Sequence, residues 1–237
     1  MPPLFIDKIM SKRVINYKAG HRKRLKERFL SAPESLPDYE LLELILFNAF
    51  PRRDVKPYAK ELINKFGNFS TIINLDPTKT KDLENNITNS VDLQFNIIKE
   101  SIRRVLKGNI RDVTLLNNIT SVYDYLRMSI GQSNVEHFKV LYLNTKNHLI
   151  ADELMQSGTV DQTTIYPREI VKRAIYHDAS AVIITHNHPS GVAKPSSADI
   201  TITHKIVNAC KAVDIKVHDH IIVARNKIFS FKTENLL

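Results

Sequence analysis

The sequence lacks several features that define whole classes of protein. Cys210 is the only cysteine among 237 residues, so neither an internal disulfide nor a zinc site of four thiolates can form. No uninterrupted apolar run reaches the roughly 18 residues that a membrane-spanning helix needs. Residues 1–12 lack the apolar core that precedes the cleavage site of a secretory leader. These absences favour a protein of the reducing cytoplasm without membrane association.

The sequence also lacks the motifs of nucleotide binding and of nucleophilic catalysis. With 6 glycines, the chain contains neither the glycine-rich phosphate loop nor the dinucleotide-binding fingerprint. The serine nucleophile elbow G-x-S-x-G does not occur either. Cys210 shares a helical spacing with Ile206, Val207 and Val213, which predicts a buried thiol rather than a reactive thiolate. Covalent catalysis through serine or cysteine is therefore disfavoured.

The composition is that of a globular protein, but its basic residues are concentrated in the N-terminal half. Hydrophobic residues make up 43% and charged residues 25%, and the formal net charge is +9. Residues 1–112 contain 21 Lys and Arg against 14 Asp and Glu, whereas residues 113–237 contain 13 against 11. The segment Arg22–Arg28 carries several of these cations on one side of a predicted helix. Such a surface could neutralise the phosphates of a nucleic acid, or it could be a solvated helix face.

Hydrophobic periodicity divides the chain into two domains. Residues 1–19 have little pattern and are predicted to form an N-terminal arm. Residues 20–107 place apolar residues at helical spacing without a strand pattern, which predicts an all-helical domain. The polar segment 108–120 is predicted to be a linker.

The remaining residues, 121–237, mix strand and helix patterns. A helix is predicted from Ser121 to Ile130, followed by a β-hairpin with strands at 137–143 and 148–155. A helix over 166–177 and a short, continuously apolar strand over 179–185 come next. A further helix is predicted from about 197 to 213, followed by strands at 216–224 and 227–231. This order predicts a mixed α/β domain.

A group of candidate metal ligands follows the buried strand at 179–185. His186 and His188 are two residues apart at the end of this strand, so both imidazoles can face one ion. Asp199 lies in the first turn of the next helix, three residues after Ser196. Two imidazole nitrogens and one carboxylate oxygen suit a catalytic zinc, which keeps its fourth position for water. The same Ser196–Asp199 spacing is also that of a helix capping box, and the two interpretations are compatible because the cap would hold Asp199 toward the metal.

The motif His186–Asp199 resembles the JAMM motif of the JAB/MPN metalloprotease-like domains, in which H-x-H-P is followed by S-x-x-D. The segments Tyr166–Ile170 and His186–Gly191 together resemble a narrower group, the RadC family of DNA repair protein RadC-like sequences. The resemblance extends from Gly20 to the 219–223 strand. It implies an α/β fold in which a mixed-sheet JAB/MPN domain, similar to cytidine deaminases, follows an all-helical domain.

That helical domain is similar to helix-hairpin-helix modules that bind DNA. Such modules present the backbone amides of a glycine-rich turn to phosphate, whereas the corresponding segment here, Glu84–Asn89, has no glycine. This departure weakens the case for phosphate binding by the turn itself. Asparagine can nevertheless adopt the left-handed backbone conformation that the turn requires.

The resemblance also implies the roles of the site residues. His186, His188 and Asp199 would hold one zinc per chain, and Ser196 would support the oxyanion of the intermediate, although a purely capping role stays open. The general base would be Glu153, which precedes Gly158 and Thr159 as the family glutamate precedes a Gly-Thr pair. Its neighbour Asp152 is the rival, and strand alternation places the two carboxylates on opposite faces.

A second histidine pair, His218 and His220, lies in the predicted strand 216–224. In a regular strand the two would share a face, but no third ligand lies nearby in sequence. We expect Asp219 and His220 to form a buried hydrogen-bonded pair that supports the main site, as carboxylates beside ligating histidines often do.

Two functions follow from these patterns. The first is a zinc-dependent hydrolase of the JAMM type, a metallopeptidase or isopeptidase that cleaves an amide bond with an activated water. The second is a DNA-associated accessory protein of repair or recombination. It would bind nucleic acid through residues 20–107, and its zinc would be structural or would act on a nucleic-acid-linked substrate.

Overall fold

The computed structural model describes residues 20–75, 89–111, 113–158 and 165–237. Its internal contacts divide the chain into two compact units, Met1–Phe95 and Asn96–Leu237. The described helices of the first unit are α1 (His21–Ser31), α2 (Asp38–Ala49), α3 (Lys56–Phe66), α4 (Phe69–Ile73) and the beginning of α5 (Asn89–Arg111). The prediction of an all-helical N-terminal part is confirmed for these residues. Most of the predicted hairpin turn, residues 84–88, lies outside them.

The first unit is built around α2, whose Leu42 and Leu46 are fully buried. A helix with so many apolar positions can be accommodated only when neighbours cover most of its surface. The ends of the helices follow local chemistry. Asn68 caps α4 by accepting the backbone N–H of Thr71 at 2.9 Å, and Gly67 ends α3 with a φ of 92°.

The second unit contains the end of α5, three further helices and five strands. Its helices are α6 (Ile119–Leu126), which runs into a π-helical turn at Arg127–Gly131, α7 (Pro167–Tyr176) and α8 (Ser197–Lys211). Its strands are β1 (Glu136–Leu143), β2 (Leu149–Gly158), β3 (Ala181–Asn187), β4 (Lys216–Ala224) and β5 (Lys227–Ser230). The predicted alternation of strands and helices is confirmed.

The five strands form one mixed sheet in the order β2-β1-β3-β4-β5. Strand β3 is antiparallel to β1 and parallel to β4. One face of the sheet packs Leu141, Ile183 and Ile221 against α6. The other face packs Val140 and Ile184 against α7 and α8. Because β3 lies in the middle and is covered on both faces, all seven of its residues are buried.

The predicted linker differs from the structure. Helix α5 continues to Arg111, through Gly108, and a 3₁₀ turn follows at Leu115–Asn117. Ile110 and Leu115 are fully buried in the core beneath α6, so the described residues of this segment contribute to the folded second unit. Composition suggested a linker because polar residues outnumber the five apolar residues of this segment, Ile110, Val113, Leu115, Leu116 and Ile119. Among the residues that the structure describes, no helix is both long and apolar enough to cross a bilayer.

Candidate metal centre

The first two candidate ligands lie at the C-terminal end of the central strand β3. His186 is paired with Phe138 of β1 on one side and with Ile222 of β4 on the other. His188 lies just beyond the strand, and its backbone N–H donates to the Val223 carbonyl at 2.8 Å. This bond keeps the chain alongside β4, so the two imidazoles stay on the same side, as the spacing predicted.

A tight turn after β3 orients the second imidazole. The backbone N–H of Gly191 donates to the His188 carbonyl at 3.0 Å, and Gly191 has a φ of 80°, a region in which glycine is favoured. The turn brings the Val192 carbonyl to 2.9 Å from His188 Nδ1. A carbonyl oxygen only accepts, so Nδ1 is the protonated nitrogen of His188. In the neutral ring, Nε2 therefore carries the free lone pair.

The third ligand is positioned by the N-terminus of α8. Ser196 is the N-cap, and its hydroxyl oxygen accepts the backbone N–H of Asp199 at 3.1 Å. In return, Asp199 Oδ2 accepts the backbone N–H and the hydroxyl of Ser196, both at 2.7 Å. This is the predicted capping box, and it holds the Asp199 side chain against rotation away from the histidines.

The three side chains converge on one point. His186 Nε2 lies 2.9 Å from His188 Nε2 and 3.2 Å from Asp199 Oδ1, and His188 Nε2 lies 3.6 Å from Asp199 Oδ2. Ligand atoms about 2.05 Å from a tetrahedral zinc would be about 3.3 Å apart, which matches these separations. Within the described residues, these three form the group whose geometry suits a metal ion. The sequence prediction that they lie together is therefore correct.

The electrostatics of the group also suit a cation. Burial disfavours ionisation of Asp199, but its contacts with the His186 and His188 imidazoles outweigh this effect and hold the pKa of Asp199 well below its usual range. Asp199 is therefore a carboxylate at neutral pH. A carboxylate beside two imidazole nitrogens is a donor set that zinc accepts, and three protein ligands are the number of a catalytic zinc. The residues present thus fit one zinc per chain.

Glu153, predicted as the general base, is not part of this group. Its carboxylate accepts from Arg173 Nε at 2.7 Å, and His177 Nε2 lies 2.7 Å from it. Glu153 is paired with Val140 on β1, which is paired with Ile184 rather than with His186. It is thus two strands and two residues away from His186, roughly 12 Å between Cα atoms at ordinary sheet spacings.

The strand-alternation argument for the two neighbouring carboxylates is correct. Asp152 contacts Tyr125 and lies 2.6 Å from Lys139 Nζ, on the face covered by α6. Glu153 lies on the opposite face, with α7. Neither carboxylate reaches the histidines, so the resemblance to the position before Gly158 was misleading.

Sequence reasoning missed Glu136, the first residue of β1. Glu136 precedes Phe138 by two residues, and Phe138 is the partner of His186, so Glu136 lies on the sheet face of the histidines. Burial raises the pKa of Glu136, the charges of His186 and His188 lower it, and that of Asp199 raises it. Its carboxyl group is thus within electrostatic reach of all three ligands. The only signal in the sequence was an acidic residue directly before the predicted strand at 137.

The second histidine pair is separated by an irregularity in β4. The register shifts between Val182 and Ile183 of β3, which face Val217 and Asp219 of β4. His218 lies 2.6 Å from Asn147 Oδ1, whereas His220 Nε2 lies 2.8 Å from His186 Nδ1.

The expected side-chain pair of Asp219 and His220 is not formed. Asp219 accepts from the Ser230 hydroxyl at 2.6 Å and from the Lys232 backbone N–H at 3.0 Å instead. His220 supports the main site without its neighbour, because adjacent strand residues point to opposite faces.

A mixed sheet with a His-x-His at the end of a central strand and an aspartate in the following helix is the architecture of a JAB-type domain. The comparison with known families agrees, since the model of the RadC-like JAB domain matches residues 116–236. A UPF0758 protein of Rhodobacter capsulatus is 41% identical over 214 residues, which are 90% of this chain and all of the relative. A UPF0758 protein of Ruegeria pomeroyi is 39% identical over 223 residues, 94% of this chain and 99% of the relative. The chain belongs to the RadC-like JAB-domain family.

Proposed function

We propose that this protein is a zinc-dependent hydrolase of the JAMM type that cleaves an amide bond in a peptide or isopeptide. The observation that carries the proposal is the convergence of His186, His188 and Asp199 with Glu136 beside them. Membership of the RadC-like JAB-domain family is compatible with this chemistry.

The residues of the site have distinct roles in this proposal. His186, His188 and Asp199 hold the metal. Zinc, when bound, supplies a water activated at neutral pH and polarises the substrate carbonyl. Glu136 accepts the proton of the attacking water and passes it to the leaving amine. Burial raises the pKa of Glu136 above its ordinary value.

Ser196 has a structural role that the proposed catalytic role must accommodate. Its hydroxyl hydrogen is donated to Asp199 Oδ2, and its oxygen accepts from the Asp199 backbone. Support of an oxyanion by Ser196 would require this hydrogen to turn away from Asp199. Ser196→Ala removes both roles. Ser196→Gly also removes the hydroxyl, but it should cost less helix stability than Ser196→Ala because glycine is a tolerated helix cap.

The test combines metal analysis with a cleavage assay. Elemental analysis of the purified protein should give about one zinc per chain, and His186→Ala and Asp199→Ala should lose it. On a peptide and isopeptide panel, Glu136→Gln should keep zinc and lose cleavage, whereas Glu153→Gln should keep both. A wild type without zinc under non-chelating conditions would refute the proposal. Undiminished cleavage by Glu136→Gln would refute the role of Glu136.

A cleft in the first unit favours nucleic-acid contact as a second function. We infer that this cleft, with a volume of about 420 Å³, binds phosphate groups of DNA, because Arg22, Arg52, Arg53 and Lys56 line it. Arg22 is held in place, since its guanidinium lies over the Phe47 ring and donates to backbone carbonyls at the end of α2. Arg52 is exposed and directed to solvent. Two acidic residues also line the cleft: Glu43 is buried and paired with His21 at 2.7 Å, whereas Asp54 is exposed.

Salt-dependent binding of the full chain to labelled DNA tests this second function. Arg52→Ala and Lys56→Ala should each weaken binding and reduce the slope of log affinity against log salt by about 1. Lys65→Ala, which removes an exposed cation at the other end of α3, is the matched control. If all three variants bound DNA as well as the wild type, the cleft would be excluded as the site of phosphate binding. We propose the cytoplasm as the compartment for either function, with which the free thiol of Cys210 is compatible.

A further inference from the structure

A chain of hydrogen bonds behind the metal centre connects two of its ligands. His186 Nδ1 lies 2.8 Å from His220 Nε2, and His220 Nδ1 lies 2.6 Å from Thr203 Oγ1. The Thr203 hydroxyl donates to the backbone carbonyl of Asp199, one helical turn earlier in α8. The chain thus starts at one ligand, His186, and ends on the backbone of another, Asp199.

The members of this chain are held rigidly. His186 is 1% exposed, and Thr203 and His220 are fully buried, so water does not compete for their bonds. The ring of His220 stacks on Phe231 with a centroid distance of 4.6 Å and an interplanar angle of 18°. Neither the ring nor the hydroxyl has another partner to turn toward among these contacts.

The donor and acceptor of each hydrogen bond in this series follow from counting protons. Thr203 has one hydroxyl hydrogen, and the Asp199 carbonyl, which cannot donate, receives it. The Thr203 oxygen must then accept from Nδ1–H of His220, whose Nε2 must accept from Nδ1–H of His186. His186 is left with an unprotonated Nε2, the atom that lies beside His188 and Asp199.

If the hydrogen bonds ran in the opposite direction, a proton on His186 would block the metal position. If Thr203 donated to His220, the proton of His220 would move to Nε2 and that of His186 would also move to Nε2. This proton would point at Asp199 Oδ1, 3.2 Å away, and occupy the position of the metal. The bond from Thr203 to the Asp199 carbonyl opposes this reversal.

We propose that Thr203 and His220 are positioning residues that set the tautomer of His186 and so keep its Nε2 lone pair available to the metal. The inference rests on the proposed metal site. It gives His220 a function that depends on its hydrogen bond with Thr203, a residue that belongs to no sequence motif. Partners of ligating histidines typically contribute about 10–100-fold to metal affinity.

The full-length protein allows a controlled test. Zinc affinity would be measured by competition with a chromophoric chelator, with cobalt absorption as the signature of ligand geometry. Thr203→Val should weaken zinc binding by about 10–100-fold. Thr203→Ser restores the hydroxyl and should return the affinity to the wild-type value. Thr201→Val is the matched control, because Thr201 makes the same bond to the carbonyl four residues earlier, at 2.8 Å, on the exposed side of α8.

Long-range ¹H–¹⁵N NMR of the metal-free wild type tests the direction of the hydrogen bonds between His186, His220 and Thr203 without any variant. The expected pattern is a proton on Nδ1 of His186, and a proton on Nε2 would overturn the proposal even if Thr203→Val does not fold. Equal zinc affinity of folded Thr203→Val and wild type would also overturn it. A wild type that binds no zinc would instead refute the proposed function, and the NMR pattern would still decide the tautomer.

Discussion

The side chain of Asn187 holds both peptide groups that flank Glu136. Its Oδ1 accepts the backbone N–H of His137 at 2.8 Å, and its Nδ2 donates to the carbonyl of Val135 at 3.1 Å. Asn187 is fully buried between the two histidines of the motif. The residue inside H-x-H therefore aligns the glutamate on the neighbouring strand with the metal ligands on either side of itself.

Replacing Asn187 by alanine should loosen the start of β1 without removing a metal ligand. Two partly buried backbone groups would lose their partners, which should cost about 1–2 kcal/mol in the free energy of unfolding. The amide of His137 should exchange with solvent faster, zinc should stay bound, and any cleavage should slow because Glu136 is less well placed. Hydrogen exchange and urea unfolding measure these effects, and Asn187→Asp should be intermediate because it keeps one acceptor. An unchanged exchange rate at His137 would contradict this alignment.

The stability contribution of Glu153 should depend on pH. Hydrogen bonds from Arg173, and then from His177, hold the pKa of Glu153 below its usual range. A carboxyl with a lowered pKa in the folded state stabilises the fold above its unfolded value of about 4.3, and this contribution is lost as the pH falls further. Glu153→Gln should therefore be less stable than wild type by about 1 kcal/mol at pH 7.

Urea midpoints measured between pH 7 and pH 3 test this dependence. The gap between Glu153→Gln and wild type should close toward the acidic end. Glu234→Gln, a change on an exposed turn near the C-terminus, is the control and should follow wild type throughout. A gap that is constant with pH would mean that the ion pair is not the cause.

Asp152 should be a strong determinant of stability. Its carboxylate is buried and contacts Lys107, Lys139 and Tyr125, and the Lys139 side chain is itself only 10% exposed. Asp152→Asn would leave this lysine without its counter-charge, which should cost about 3–5 kcal/mol. Lys107→Met should cost much less, because the lost ion pair is partly exposed to solvent and Asp152 keeps its contacts with Lys139 and Tyr125. Denaturant unfolding measures the loss of unfolding free energy in each variant, and equal losses in the two would contradict the prediction.

Cys210 should be unreactive in the folded protein. Its thiol is fully buried, and burial raises its pKa to about 11. A thiolate reagent at pH 8 should leave native protein unmodified and should label one thiol per chain after denaturation. Rapid labelling of the native protein would show that α8 opens, and would bring the thiol back into consideration as a chemical group.

The sequence alone determined the features that depend on neighbours along the chain. His186 and His188 share a side because side chains alternate along a strand, and Ser196 orients Asp199 because a helix cap spans three residues. The order of strands and helices in the second unit follows from the same short-range periodicities.

Only the tertiary structure decided which distant residues join the site. Periodicity identifies Glu153 as a strand residue but not its distance from His186. Glu136 lies near the histidines because β1 pairs with β3. The two strands are about fifty residues apart, as the bond between His137 and Asn187 illustrates.

Thr203 and His220 likewise reach His186 from a helix and a strand whose packing no local pattern encodes. Register between strands and packing between layers arise from the burial of whole surfaces. A local pattern therefore predicts an element, and the folded core selects the partner of each side chain.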